Sequence, residues 1–319
     1  MIDGAELELF ARTLRRATAS HTGAALDAAL EVVGWRDAMA ADARAAVSTL
    51  FALQGEDNAV SSALDQVVVE ALGFDQGSKA AVVLPALGRC SPPGEIAGER
   101  LAIRGLGTTA LANRETAVVV ARTGGTEVAL AVATTDLGLR QVRGLDPSLG
   151  LLEVAGGVSC AVKQARPVGW SFAVARGQLA LAHELVGASR KMLELARDHA
   201  VQRIQFGRTI GTFQAVRHRL ADTLVAIETA DTVLAAAWED GSSQTAAMAK
   251  ALAGRGARTA ARHCQQVLAG MGFTTEHALH RYVRRILVLD QLLGSARVLT
   301  HALGAELLRT KTLPPLVPL

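Results

Sequence analysis

RIQFGRTIGTFQAVRHRL, residues Arg203–Leu220, is the stretch from which the architecture of this chain is read. Gly207 and Gly211 read as turn residues, because glycine takes positive φ without steric cost. Leu181, Leu185, Met192, Leu195 and Ala196 precede the stretch, and Val216, Leu220, Leu224, Ile227, Leu234 and Trp238 follow its turn. Their three- and four-residue spacing predicts a long helix on each side, each with one buried face. The stretch is therefore a short connection, with helix resuming at Phe213-Gln214. It carries a cation, two side-chain amides and aromatic character: Arg203, Gln205, Phe206, Phe213 and Gln214. Two readings follow. One is a polar turn in a helical hairpin. The other is a grip on a phosphate-bearing, planar-ringed ligand, since arginine forks onto phosphate and phenylalanine packs on ring faces.

Working outward, the 319 residues allow two or three domains. Half of the residues are hydrophobic but only 3% are aromatic, a mixture of Ala, Leu and Val that suits packed helices. The net charge of +3 is spread along the chain, which argues against a nucleic-acid surface. Cys90, Cys160 and Cys264 are too few and scattered for a disulfide framework or zinc site. No signal peptide and no membrane-spanning apolar run is legible, so a cytoplasmic protein is expected.

Residues 1–77 read as an N-terminal helical domain, with Leu9, Leu14, Leu26, Leu30, Val33, Leu50, Val67 and Leu72 as its apolar positions and breaks at Gly34-Trp35 and Gly55-Glu56-Asp57. Residues 78–168 read as a small antiparallel β barrel or sandwich. Its strands are placed at Ala81–Leu84, Leu101–Ile103, Ala117–Val120 and Val128–Val132, with glycines and prolines between them. Residues 169–319 read as a C-terminal four-helix bundle with helices near Phe172–Gln202, Phe213–Asp240, Ser243–Ala269 and Thr274–Thr310. Ser242 or Ser243 is a natural N-cap, Gly270 and Gly272 give a stop, and the proline-rich Leu313–Leu319 should lie extended. Gly105-Leu-Gly107 fits a loose dinucleotide fingerprint but lacks the βαβ context. His183-Glu184 starts like a zinc-protease helix, yet Gly187 stands at the second histidine position. His277 and His280 share a helix face without a third ligand, so no metal site is expected.

R-x-Q-F-G at Arg203–Gly207, I-G-x-F-Q at Ile210–Gln214 and L-A-D at Leu220–Asp222 resemble the acyl-CoA dehydrogenases. So does a second segment, QVLAGMGFTTEH from Gln266 to His277, followed by Arg284-Arg285. The resemblance covers about Leu179–Leu308 well and the rest loosely. It implies the helix, β, helix-bundle order of that family, and FAD as cofactor. It further implies that Arg203, Gln205, Phe206, Phe213, Gln214, Gln266 and Gly270 contact the pyrophosphate and adenosine half of an FAD bound mainly by a neighbouring subunit. Ala269 departs from the pattern, which usually has glycine there.

The resemblance also exposes what is missing. The family's base is a carboxylate, either in a G-T-x-E-type segment near the C-terminus or on the first bundle helix. Here those places read Gly294-Ser295-Ala296-Arg297 and Gly177. General base catalysis needs a titratable group within reach. Glu184 and Glu276, the latter expected at a helix start, are the nearby acids. The T-E-P-x-x-G-S-D loop and K-x-W-I-T-N strand that hold flavin and substrate are absent. The chain thus resembles the short partner subunit of heteromeric, steroid-degrading acyl-CoA dehydrogenases, two of each chain sharing FAD. An active homomer that uses Glu184 or Glu276, and a purely structural subunit without flavin, are the alternatives.

Overall fold

Residues 4–74, 80–159 and 165–312 are described by a computed structural model. The first of these segments forms α1 (Gly4–Ser20), α2 (Ala24–Val33), α3 (Trp35–Ala41), α4 (Ala43–Asp57) and α5 (Ala63–Ala71). Gly34, at φ 71°, makes the expected break between α2 and α3. The break expected at Gly55 does not occur: α4 runs through it and ends at Asn58. Packing is the reason. A Cβ on Gly55 would collide with the Glu184 carbonyl oxygen and stand 2.7 Å from the Ala188 nitrogen. On the facing helix, a Cβ on Gly187 would collide with the Ala52 carbonyl. The two glycines let two helix backbones touch, and this accounts for Gly187 where a metal ligand was sought. Leu14, Leu26, Leu30, Leu50, Val67 and Leu72 are buried as expected, whereas Leu9 is 58% exposed.

β1 (Ala80–Val82), β2 (Leu84–Pro85), β3 (Gly94–Ala97), β4 (Arg100–Gly107), β5 (Thr116–Thr123), β6 (Thr126–Ala133), β7 (Gly138–Gln141), β8 (Leu152–Ser159) and β9 (Arg166–Pro167) form one sheet. Its main order is β7-β8-β4-β3-β5-β6-β9, with β1 on β5 and β2 on β4. Pairing is antiparallel except β1–β5 and β3–β5. Three of the four expected runs lie within single strands, and the first, Ala81–Leu84, is divided at Val83 between β1 and β2. β3, β7 and β8 were not anticipated, because their apolar residues are diluted by glycine and charge, as in LEVAGGVS of β8. The β5–β6 hairpin closes on Gly124-Gly125, both at positive φ, which suits the twist of a two-residue turn. Alternation along β5 divides the interior: Val118 and Val120 join the large helical core, while Ala117, Val119 and Ala121 join a second core with Leu101, Leu111 and Val154. Gly105 and Gly107 lie within β4, and the chain continues through a 3₁₀ helix (Thr109–Asn113) to β5, not into a βαβ unit.

The bundle comprises α6 (Trp170–Gln202), α7 (Gln214–Asp240), α8 (Ser243–Leu268), α9 (Leu279–Leu289) and α10 (Ala296–Thr310). Ser242 caps α8 by accepting from the Thr245 nitrogen. The fourth expected helix is two helices, interrupted at Asp290–Ser295, where Leu293 and Gly294 take φ of 53° and 96°. The break is satisfied from inside. The buried Asp290 carboxylate accepts from the Ala296 nitrogen at 2.9 Å and from Arg258 at 2.7 Å. Lys250, fully buried, donates to the carbonyls of Asp290 (3.1 Å) and Gly294 (3.3 Å). The buried face of α7 is Thr223, Ile227, Ala230, Leu234 and Ala237. Leu224, expected on it, lies one position round the helix and is 47% exposed. Residues 313–319, expected to be extended, and the expected 77/78 boundary lie outside the described residues. Among the described residues, no helix is long and apolar enough to cross a membrane.

Candidate functional site

Short connections make α6, α7 and α8 run alternately up and down. Arg190 of α6 pairs with Asp231 of α7 at 3.0 Å, and Thr223 of α7 hydrogen-bonds His263 of α8 at 3.1 Å. The C-terminal ends of α6 and α8 and the start of α7 therefore meet at one end of the bundle, and every predicted cofactor-contacting residue stands there.

Between α6 and α7 the chain forms β10 (Ile204–Gln205) and β11 (Arg208–Thr209), closed by Phe206-Gly207 at φ 55° and 74°. Gly207 is the positive-φ turn residue expected. Gly211 is not: it needs the absence of a side chain, since a Cβ would stand 3.0 Å from the Ala200 carbonyl. Ile210 N donates to Arg203 O at 2.8 Å, pinning the hairpin to the end of α6. Phe206 is 91% exposed and meets Phe213 edge to face, with centroids 6.1 Å apart. The Arg208 guanidinium lies 4.3 Å from the Phe213 ring centroid. Arg208 was not among the expected site residues, although a cation two residues beyond Phe206 in a two-residue hairpin was a usable signal. Arg203, Gln205 and Gln214 are exposed.

Gln266 and Gly270 are exposed at the end of α8, and a Cβ on Gly270 would meet nothing within 4 Å, so its backbone is open to approach. Ala269, in the position where glycine was expected, adopts φ 51° and ψ −131°. That backbone is the one glycine takes freely, so the alanine carries strain on the order of 1–3 kcal/mol. Glu276 is exposed and precedes α9 by three residues, so it is not the helix-start residue expected. Burial, and then the imidazole of His277, hold His199 below its ordinary pKa.

The other tempting residues have internal duties. Trp238 Nε1 donates to His183 Nε2 at 2.9 Å, and burial pushes His183 down to about 3. Arg285 is completely buried. It bonds Asp146 at 2.6 Å, the Ala59 carbonyl at 2.9 Å and Glu184 at 3.5 Å, tying the N-terminal helices, the β region and α6 together. Glu184 is thereby committed to an arginine, while burial pushes its pKa up to about 7.

The two places where a carboxylate base was sought meet in space. A Cβ on Gly177 would collide with Leu293 Cδ1 and stand 3.2 Å from Val68 Cγ2. Gln178 Nε2 donates to Leu293 O at 2.9 Å, and Cys90 Sγ to the same oxygen at 3.3 Å. Trp170 Nε1 donates to Cys90 O at 2.8 Å. Ser295 serves as N-cap of α10. The space beside Gly177 is filled by the chain's own side chains.

Residues 168–308 match the model of the acyl-CoA dehydrogenase C-terminal domain. Over 126 residues the chain is 40% identical to the acyl-CoA dehydrogenase IpdE2 of Mycobacterium tuberculosis, a match covering 40% of this chain and 40% of that protein. Thus the likeness in sequence spans less than half of the relative's length. The fold extends further. A Tcur3481–Tcur3483 steroid ACAD variant superposes with TM-score 0.80 at 21% identity, covering 97% of this chain and 99% of that one. The ChsE4–ChsE5 complex of Mycobacterium tuberculosis includes a chain with TM-score 0.72 at 21% identity, covering 96% and 89%. With the motifs on one end of the bundle and the whole architecture shared, residues 168–308 match the acyl-CoA dehydrogenase C-terminal domain, and the chain as a whole has the fold of the acyl-CoA dehydrogenases.

Proposed function

We propose that this chain is the short subunit of a heteromeric, FAD-dependent acyl-CoA dehydrogenase, completing the FAD site of a longer catalytic partner, with two of each chain in the assembly. The observation that carries the reading is exposure: Arg203, Gln205, Phe206, Gln214, Gln266 and Gly270 project from one end of the bundle, where a second chain's cofactor could lie across them.

The residues fit the nucleotide half of FAD. Arg203 supplies a forked cation for the pyrophosphate, Gln205, Gln214 and Gln266 supply amide hydrogen bonds, and Phe206 with Phe213 offers ring faces. Gly270 contributes backbone with nothing over it. When bound, FAD supplies the hydride acceptor for α,β-dehydrogenation of an acyl-CoA. Gly177, packed under Leu293, offers no carboxylate for α-proton abstraction, so that proton transfer falls to the partner. The steroid ACAD neighbour supports a bulky, ring-containing acyl group as substrate.

Co-expression with a longer acyl-CoA dehydrogenase chain tests the reading. The chain alone should be colourless and the complex yellow. Arg203→Ala should lower the complex's FAD affinity about tenfold or more, the worth of one charge-assisted phosphate contact. FAD retained at wild-type occupancy under dilution would reject the cofactor role. Flavin and dehydrogenase activity in the chain alone would favour the homomer.

A further inference from the structure

A cavity of about 520 Å³ opens between the end of α1, the turn after α4, the loop around Pro147 and α9. Its size is that of a small-ligand site. Arg281 and Arg284 of α9 line it, both exposed, one helical turn apart on the same face. Among the described residues, neither guanidinium has an ion-pair partner. The two carboxylates of the wall are already engaged: Asp57 accepts from Thr18 Oγ1 at 2.6 Å, and Asp146 holds Arg285 at 2.6 Å. Two adjacent cations outnumber the one wall carboxylate left without an ion-pair partner among the described residues, Asp57, so the wall keeps a net positive charge that can receive an anion.

A second observation refines the ligand's chemistry. Asn58 also lines the cavity, and its amide oxygen is buried without a hydrogen-bond partner among the described residues. A buried acceptor left unpaired is costly, and turning the Asn58 amide toward the cavity would let a ligand hydroxyl satisfy it. Ser148 and Thr22 add hydroxyls to the same wall. Anionic groups on one side and a hydroxylated body on the other describe a sugar phosphate.

We infer that this cavity binds a phosphate-bearing, hydroxylated ligand of nucleotide size, with Arg281 and Arg284 on the phosphate and Asn58 on a sugar hydroxyl. ADP is the probe. Calorimetric titration of the full chain, in complex with its partner where one is needed, should show saturable ADP binding that weakens as salt rises. Arg281→Ala and Arg284→Ala should each weaken it about tenfold, one charge-assisted contact apiece. Adenosine, lacking phosphate, should bind at least as much more weakly. Saturating FAD is kept in the calorimeter cell to fill the hairpin, where the proposed function places a nucleotide, so that the ADP titration reports the cavity alone. Loss of ADP binding in Arg203→Ala with none in the α9 variants would place the nucleotide at the hairpin and overturn the inference. No saturable ADP binding, or equal affinity in all variants, would overturn it too. So would α9 variants that release the partner chain while wild type never binds ADP, since the face would then dock protein.

Discussion

The two ends of α6 are built on opposite principles. Near its start, Trp170, Gly177 and Gln178 pack against Leu293 and Cys90, with Lys250 fully buried nearby. The polar groups named there have internal partners, and burial pulls Lys250 down to about 8. At its far end the helix runs into a hairpin whose Arg203, Gln205 and Phe206 point into solvent. One helix of 33 residues thus joins a closed interior to an open, cationic and aromatic surface. Stability is concentrated at the first end, and groups suited to a ligand at the second. That contrast supports the proposed division of labour: a chain that offers a surface to a cofactor while its own cavity is filled.

The largest expected effect breaks the closed end. Gly177→Glu forces a carboxylate against Leu293, Val68 and Leu64, combining overpacking with a buried charge. It should cost at least about 3 kcal/mol in chemical denaturation and confer no activity on the chain alone. A variant of unchanged stability that dehydrogenates acyl-CoA would dissolve the contrast.

The interior can also be read by pH. Asp65 is fully buried, bonds Thr108 and the Val82 nitrogen, and burial pushes it up to about 7. An acid whose folded pKa lies above its unfolded value binds more protons when folded. Its destabilising effect is absent below about pH 4, grows as pH rises from there, and is complete above about 7. Stability should therefore decline across that window by roughly a few kcal/mol. In Asp65→Asn the decline should be shallower, and equal pH slopes in the two proteins would refute this account.

Smaller effects sharpen the open end. Ala269→Gly relieves the φ of 51° and should raise stability by about 1 kcal/mol, read as a higher melting temperature. A loss instead would mean that the alanine is unstrained. Arg203→Ala should leave the isolated chain's stability within about 0.5 kcal/mol, as expected for an exposed side chain. A large drop would make Arg203 structural and remove the asymmetry between the ends.

Much was legible in the residues themselves. Three- and four-residue spacing located α6 and α7, the serine cap and the glycine stop bounded α8, the glycine at 207 located the hairpin, and the runs at Ala117 and Val128 located β5 and β6. These are local signals, set by side-chain period and allowed φ. The candidate site was legible for the same reason, since its residues cluster in two short segments at helix ends, and Arg208 was the omission. β8 escaped because its pairing with β4, not its own composition, makes it a strand. What tertiary structure alone decided depends on contacts far apart in sequence. Gly55 became helix interior because Glu184 presses on it, and Leu293 came to fill the space at Gly177. Arg285 became a tie among three parts of the chain. A residue's type sets which conformations and bonds it can adopt, but only the packed fold selects which distant atoms it will meet.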